Sequence, residues 1–297
     1  MWREASGVLR TPRDLLRFAV SRFNQAGLAF GHGTDDAYDE AAYLILHTLK
    51  LPLDRLEPFL DARLTNSELT QVLSILERRV SERIPAAYLT QEAWLGAFRF
   101  YVDPRVIVPR SHIAEALEHL EPWIPEPAQV RTALDLCTGS GCLAILMAHT
   151  FASAAVDAID ISLEALEVAK RNVADYELGS RVRLLQSDLF SAVNGERYDV
   201  IVSNPPYVTA AAMSALPPEY RHEPALALAA GADGLDVVRR ILHEGKHRLQ
   251  RGGVLIVEVG NGREAVESAF PDLPFTWLET GGGSDQVFLL ERAHLPG

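Results

Sequence analysis

Asn204-Pro205-Pro206-Tyr207 follows the apolar run Tyr198-Asp199-Val200-Ile201-Val202-Ser203. The run reads as a buried strand. Neither proline has an N–H to give to a ladder, so the chain must leave the sheet there. What remains at the corner is a carboxamide, backbone carbonyls without ladder partners and a phenol ring. Asn204 can accept a hydrogen bond through Oδ1 from one N–H of an NH2 group, and the Pro205 carbonyl can accept from the other. The Tyr207 ring can cover a planar amide or aryl amine. Such a nitrogen is a poor nucleophile because its lone pair is delocalised. Two fixed acceptors aim it at an electrophile and favour the charge that builds on it. The expected chemistry is transfer of a group to an amino or amide nitrogen. The competing reading is a proline-rich turn with no chemistry.

A second constellation lies upstream. Leu134-Asp135-Leu136-Cys137-Thr138-Gly139-Ser140-Gly141-Cys142 reads as a strand, a glycine turn and a helix start. Glycines there let a ligand approach the backbone at the carboxyl end of the strand, and the helix N-terminus favours an anionic group. Asp160 ends the next strand, where an acid can accept from ribose hydroxyls. Asp188 ends the third and can meet an adenine amino group. Gly139-Ser140-Gly141-Cys142-Leu143-Ala144 also fits a dinucleotide fingerprint, and a purely structural glycine turn is a further reading. Three such features at three successive strand ends favour a nucleoside pocket. The tetrad at the fourth end is of no use to a hydride-transfer enzyme, but it suits a methyltransferase using S-adenosylmethionine.

These motifs need a scaffold, and the periodicity supplies one. Thr11-Pro12-Arg13-Asp14 starts a helix that Gly27 ends, Asp35 or Asp36 caps a second, and Thr65-Asn66-Ser67-Glu68 is a capping box for a third. Their apolar stripes predict a small helical domain over 1–84. Residues 85–109, with Tyr88, Trp94, Phe98, Phe100, Tyr101 and Val102 around Gly96, Asp103 and Pro104, read as a β-hairpin linker. From 110 to 297 strands and helices alternate. Strands are expected at 132–137, 154–160, 182–188, 198–204, 253–259, 275–279 and 286–291, with helices at 142–151, 163–176, 235–249 and 264–270. The pattern is α/β, Rossmann-like, with a mostly parallel sheet and a C-terminal antiparallel hairpin. Residues 208–232 are long for a connection and suggest a lid or substrate loop. In it, Glu219-Tyr220-Arg221-His222-Glu223-Pro224 reads as an ion-paired cluster rather than a catalytic His222. His32 reads as structural or interfacial.

The 297 residues carry a net charge of −12, with 48% hydrophobic and 23% charged residues. A packed globular protein is expected, and charge-driven binding to DNA or RNA is disfavoured. A basic protein partner is compatible. Two cysteines, Cys137 and Cys142, give no disulfide framework, and the histidines lack metal-ligand spacing, so no metal is expected. No apolar stretch spans a bilayer and no signal segment opens the chain, which makes the cytoplasm the expected compartment.

The chain resembles the protein glutamine N(5)-methyltransferases, the HemK/PrmC and PrmB group. Asn-Pro-Pro-Tyr after the fourth strand, Asp-Leu-Cys-Thr-Gly-Ser-Gly-Cys after the first and Val-Pro-Arg ahead of the catalytic domain carry the likeness, which covers nearly the whole chain. The tetrad alone is shared with enzymes acting on base amino groups. Release-factor enzymes of the group typically read Pro-Arg-Pro-Glu-Thr-Glu where this chain has Pro109-Arg110-Ser111-His112-Ile113. Gly31-His32-Gly33-Thr34-Asp35, residues 83–90 and residues 219–224 are more similar to the branch acting on large-subunit ribosomal protein L three. The resemblance implies a class I S-adenosylmethionine-dependent methyltransferase, yielding S-adenosylhomocysteine. It implies that Thr138, Gly139, Ser140, Gly141, Asp160, Ile161, Asp188, Leu189 and Asn204 hold the cofactor, and that Asn204, Pro205, Pro206 and Tyr207 hold a glutamine side chain. The implied partner is ribosomal protein L three, free or in assembling subunits. Chain release factors, a base amine of rRNA or DNA, and a non-catalytic role in ribosome assembly are the alternatives.

Overall fold

The computed structural model describes residues 2–296. They form two compact units, residues 2–93 with 216–222 and residues 94–215 with 223–296.

The first unit is helical: α1 (Trp2–Val8), α2 (Pro12–Ala26), α3 (Ala37–Thr48), α4 (Asn66–Ser81) and the short α5 (Ala86–Thr90). Local chemistry sets their ends. Thr11 and Asp14 exchange capping-box hydrogen bonds at the start of α2, and Gly27 closes it in the left-handed region. Asp36 caps α3, and Thr65 with Glu68 forms the box before α4. Leu15, Phe23, Leu44, Ile45, Val72 and Leu76 are fully buried in the shared core. One reading of the sequence changes. Tyr88, within the run whose pattern predicts a hairpin, lies in α5, which begins after Pro85 and stops at Gln91 in the left-handed conformation. Burial of Ala86, Ala87 and Tyr88 and a hydroxyl contact between Tyr43 and Thr90 outweigh the aromatic strand pattern.

A two-stranded ribbon follows, β1 (Glu92–Leu95) and β2 (Phe98–Tyr101), with α6 at Ile113–Ala116. The main sheet is built from β3 (Thr132–Leu136), β4 (Ala155–Asp160), β5 (Val182–Gln186), β6 (Tyr198–Ser203), β7 (Leu249–Glu258), β8 (Thr276–Thr280) and β9 (Gly283–Glu291). Its helices are α7 (Cys142–Thr150), α8 (Leu163–Asp175), α9 (Ala210–Ala215), α10 (Asp236–Arg248) and α11 (Arg263–Ala269). Strand order is β5-β4-β3-β6-β7-β9-β8, and β9 alone runs antiparallel, to both its neighbours. The chain winds outward from β3 through β4 to β5, then returns to β6 on the other side of β3. That reversal between β3 and β6 is the switch point where sheets of this type open a crevice.

Register brings the strand ends level. Leu136 pairs with Ile159 on one side and Ser203 on the other, and Asp160 pairs with Gln186. The Ser203 hydroxyl donates to the Leu136 carbonyl at 2.9 Å, tying β3 and β6 at their last residues. Four loops therefore leave the same edge side by side.

Candidate active site

A cavity of about 480 Å³ opens at that edge. Gly139, Asp160, Ile161, Asp188, Leu189, Asn204 and Pro206 all line it. Its volume falls in the range of small-molecule and cofactor pockets.

The loop after β3 is fixed by a buried carboxylate. Asp135 accepts from the Thr138 hydroxyl at 2.5 Å and from the Ala144 N–H at 3.0 Å. Burial, with Asp160 nearby, pushes its carboxyl up to about 7 against the pull of those two bonds. The loop then turns through two left-handed glycines. A Cβ on Gly141 would come within 3.1 Å of the Ala169 Cβ on α8, so glycine is needed for α7 and α8 to pack. A Cβ on Gly139 would meet no protein atom within 4 Å, which leaves the cavity side of the loop open to a ligand. Thr138, Ser140 and Gly141 shape this turn and do not line the cavity.

Asp160 reaches across from β4. Its carboxylate accepts from the Gly139 N–H and the Ser162 N–H, both at 2.9 Å. Burial raises its carboxyl above the usual range although the N–H groups of Ser162, Gly139 and Ile161 oppose the shift. Each oxygen keeps a lone pair for a hydroxyl donor. Asp188 is half-exposed and paired bidentately with Arg240 at 2.9 Å. Cys137 (φ 61°) and Leu189 (φ 48°) take left-handed conformations at two of these loops, the kind of strain that collects at binding sites. Burial raises both cysteine thiols, Cys142 to about 12, so neither is a nucleophile at neutral pH.

At the end of β6, Pro205 is buried and Asn204, Pro206 and Tyr207 are partly exposed. The chain next pairs Val208 with Ala229. Val208 N–H donates to the Leu228 carbonyl, Ala230 N–H to the Val208 carbonyl and Ala210 N–H to the Gly231 carbonyl. The long segment after the tetrad, which carries α9, is thus closed at its neck by backbone hydrogen bonds. Its charged residues form ion pairs, as expected. Glu219 accepts from Arg79, Arg83 and the Ala29 N–H within the helical unit. Glu223 accepts from Arg110 at 2.5 and 2.8 Å and from the Val108 N–H. The His222 ring lies against the Glu82 carbonyl at 3.1 Å, and buried His32 packs on Tyr220 at 4.3 Å.

Several site residues carry no motif in the sequence. Arg105, Val106 and Ile107 form one wall of the cavity, and Pro224–Ala227 with Ala229 another. Asp103 holds Arg105 through its guanidinium and its N–H. Asn172, buried in α8, donates to the Ser140 carbonyl and exchanges hydrogen bonds with the backbone of Tyr101. The Asp103-Pro104 turn hinted at the first wall; nothing local marked Asn172. Among the described residues, no group of three or more His, Cys, Asp or Glu could hold a metal ion, and no helix is long and apolar enough to cross a membrane.

Residues 113–216 match the Methyltransferase small domain family. The solved hMettl16 catalytic domain, in complex with MAT2A 3'UTR hairpin 1, superposes with a TM-score of 0.53 at 18% identity, covering 85% of this chain and 90% of that one. The fold is that of a class I methyltransferase. The chain is 60% identical to the ribosomal protein uL3 glutamine methyltransferase of Neisseria meningitidis serogroup B strain MC58, over 100% of this chain and 98% of that protein. It is equally 60% identical to the enzyme of that name from Bordetella pertussis, over 97% of each. It belongs to the ribosomal protein uL3 glutamine methyltransferase family.

Proposed function

We propose that this protein methylates a glutamine side-chain amide nitrogen of ribosomal protein uL3 (large-subunit protein L three), with S-adenosylmethionine as the donor, in the cytoplasm. The observation that carries this reading is that Asn204 and Pro206 share one cavity with Gly139, Asp160 and Asp188. This shared cavity supports reading Asn204 as an amide acceptor beside a nucleoside site.

Asp160, held still by its backbone donors, would accept from ribose hydroxyls. Asp188, steadied by Arg240, would accept from the adenine amino group, and Ile161 and Leu189 would give the base apolar surface. Gly139 lets the ligand close to the backbone, and Thr138, Ser140 and Gly141 keep the loop in that shape. When bound, the cofactor supplies a methyl carbon made electrophilic by its sulfonium. Asn204 Oδ1 and the Pro205 carbonyl accept the two amide N–H groups, which directs the nitrogen's lone pair and favours its developing charge. Pro206 keeps the strand from continuing, and Tyr207 covers the carboxamide. The helical unit, read from the sequence over 1–84 and running in the fold to residue 93 with 216–222, binds the substrate protein, and the rest of the chain is the catalytic domain. The net charge of −12 suits a basic ribosomal protein.

Purified uL3, a release factor and rRNA, each incubated with this protein and donor labelled in the methyl group, test the reading. Label should appear on a glutamine of uL3. Label confined to the release factor or to rRNA would overturn the substrate assignment. Asn204→Ala should lower kcat by roughly 10²–10³, as for loss of one fixed donor or acceptor at a reacting centre, with donor affinity changed far less. Unchanged turnover would remove the tetrad's role.

A further inference from the structure

Two glycines that no motif singles out approach Tyr207 more closely than any side chain could. A Cβ on Gly260 would lie 2.7 Å from Tyr207 Cε2 and 3.1 Å from Cδ2 and Cζ. A Cβ on Gly234 would lie 2.5 Å from the Tyr207 carbonyl oxygen. Gly260 (φ 51°) follows the end of β7, and Gly234 (φ 81°) lies just ahead of α10. The Gly260 corner has little freedom to retreat. Val259 is buried, its N–H donates to the Gln286 carbonyl at 2.8 Å, and its carbonyl accepts from the Gly262 N–H at 2.9 Å.

We propose that Gly260 and Gly234 form a slot that seats Tyr207, with Gly260 setting the ring's position over the substrate carboxamide and Gly234 setting the height of its backbone. The two are positioning residues, and the inference rests on the reading that Tyr207 covers the glutamine amide. The neighbours they face differ in kind. At Gly234 the obstacle is backbone, so a side chain there displaces the chain itself. At Gly260 the obstacle is a ring, which can swing away about its side-chain torsions. Ordinary carbon contacts are about 3.5–4.0 Å, so an alanine at 260 moves the ring by roughly 1 Å. Misplacement of that size costs about 10²-fold in rate when orientation is what the group contributes.

The test is a cycle in the full-length protein: wild type, Gly260→Ala, Tyr207→Ala and the double variant. Gly252→Ala serves as control, since Gly252 is also left-handed (φ 82°) but a Cβ there would meet nothing within 4 Å. Methyl transfer to uL3 is measured with donor affinity by calorimetry, and the Tyr207 ring is followed by NMR with ring-labelled tyrosine. Gly260→Ala should shift the Tyr207 ring signals and lower kcat by roughly 30–100-fold, with donor Kd within twofold of wild type. It should cost little further activity once Tyr207 is alanine, because the ring it displaces is gone, and the strain of a left-handed alanine, common to both arms, cancels in the coupling between them. Gly252→Ala should leave ring and kcat alone. Ring signals unmoved in Gly260→Ala, or the same factor lost again in the Tyr207→Ala background, would overturn the slot. A wild-type protein that does not methylate uL3, with the ring still moved by Gly260→Ala, would refute the substrate reading and leave the slot standing. If Gly260→Ala does not fold, soluble double variant supports the slot and equal loss of both overturns it.

Discussion

Glu219 is the most demanding residue of the helical unit. Its side chain is 0% exposed, and it shares the interior with Arg79 and Glu40, each 1% exposed. Arg79 bridges the two acids, at 2.7 Å to Glu40 and 3.3 Å to Glu219, and donates to the Ala29 carbonyl at 2.9 Å. Arg83 reaches Glu219 at 2.9 Å and caps the Ala26 and Gly27 carbonyls. Removing one partner of a buried pair costs about 3–5 kcal/mol because the other charge is left without compensation. In Glu219→Ala, Arg79 keeps Glu40 and Arg83 is partly solvated, which places the cost near 3 kcal/mol. That is a large share of a typical total of about 5–15 kcal/mol. Urea unfolding of the full chain should show it, and hydrogen exchange should quicken over residues 216–222, which Glu219 anchors. The sign with pH is fixed as well. Burial would raise the Glu219 carboxyl, but its backbone donors, Arg83 and Arg79 outweigh that and hold it below its ordinary 4.5. The deficit is therefore full above about pH 4.5 and shrinks as pH falls through the lower, folded value. A loss under 1 kcal/mol at pH 7 with exchange unchanged would refute the argument.

The glycine loop and its buried acid make further predictions. Asp135 sits at about 7 against an ordinary 3.8, so the folded state holds its proton longer. Its contribution is fullest below about pH 4, declines as pH rises to 7, and is then constant. Asp135→Asn should remove that decline, gaining relative to wild type by up to roughly 4 kcal/mol between pH 4 and 8. Parallel denaturation curves would sink the claim. Gly141→Ala should destabilise by about 1–3 kcal/mol, since it adds a contact with Ala169 to a left-handed alanine. Gly139→Ala carries only the strain, so it should fold with a smaller loss yet bind the methyl donor at least tenfold more weakly. Calorimetry and thermal melting together separate the two, and equal effects at both positions would contradict the geometry.

Much of the architecture was legible because it is local. Capping boxes at Thr11 and Thr65 and the prolines after Ser203 each act within four residues, and the helix and strand ends fall close to where those rules put them. The strand-end placement of Asp160, Asp188 and Asn204 was legible for a related reason: in a parallel sheet all such ends open on one side. What escaped was either short or distant. Residues 86–90 form a helix because tertiary burial outweighs an aromatic pattern. Arg79 and Glu219 stand 140 positions apart, and nothing in a charge says which opposite charge it will meet. Gly260 and Tyr207 are separated in the same way, and a lone glycine after a strand reads only as a turn.

The cluster at 219–224 shows how much such an address matters. As composition it is a charged loop. In the fold its two acids have separate duties. Glu219 is buried in the helical unit. Glu223, four residues on, is fully buried by Arg110 and the Val108 N–H in the catalytic unit. Pro224–Ala227, which follow directly, form a wall of the cavity, and Ala229 closes the loop's neck onto Val208, next to Tyr207. A loop of this length would otherwise sample many shapes at small cost, since closure entropy grows only slowly with length. Within the catalytic unit, buried Glu223 and the hydrogen-bonded neck remove that freedom on either side of Pro224–Ala227. The wall beside Asn204 then has a fixed place, as it must if an amide nitrogen is to be presented along one line to one carbon.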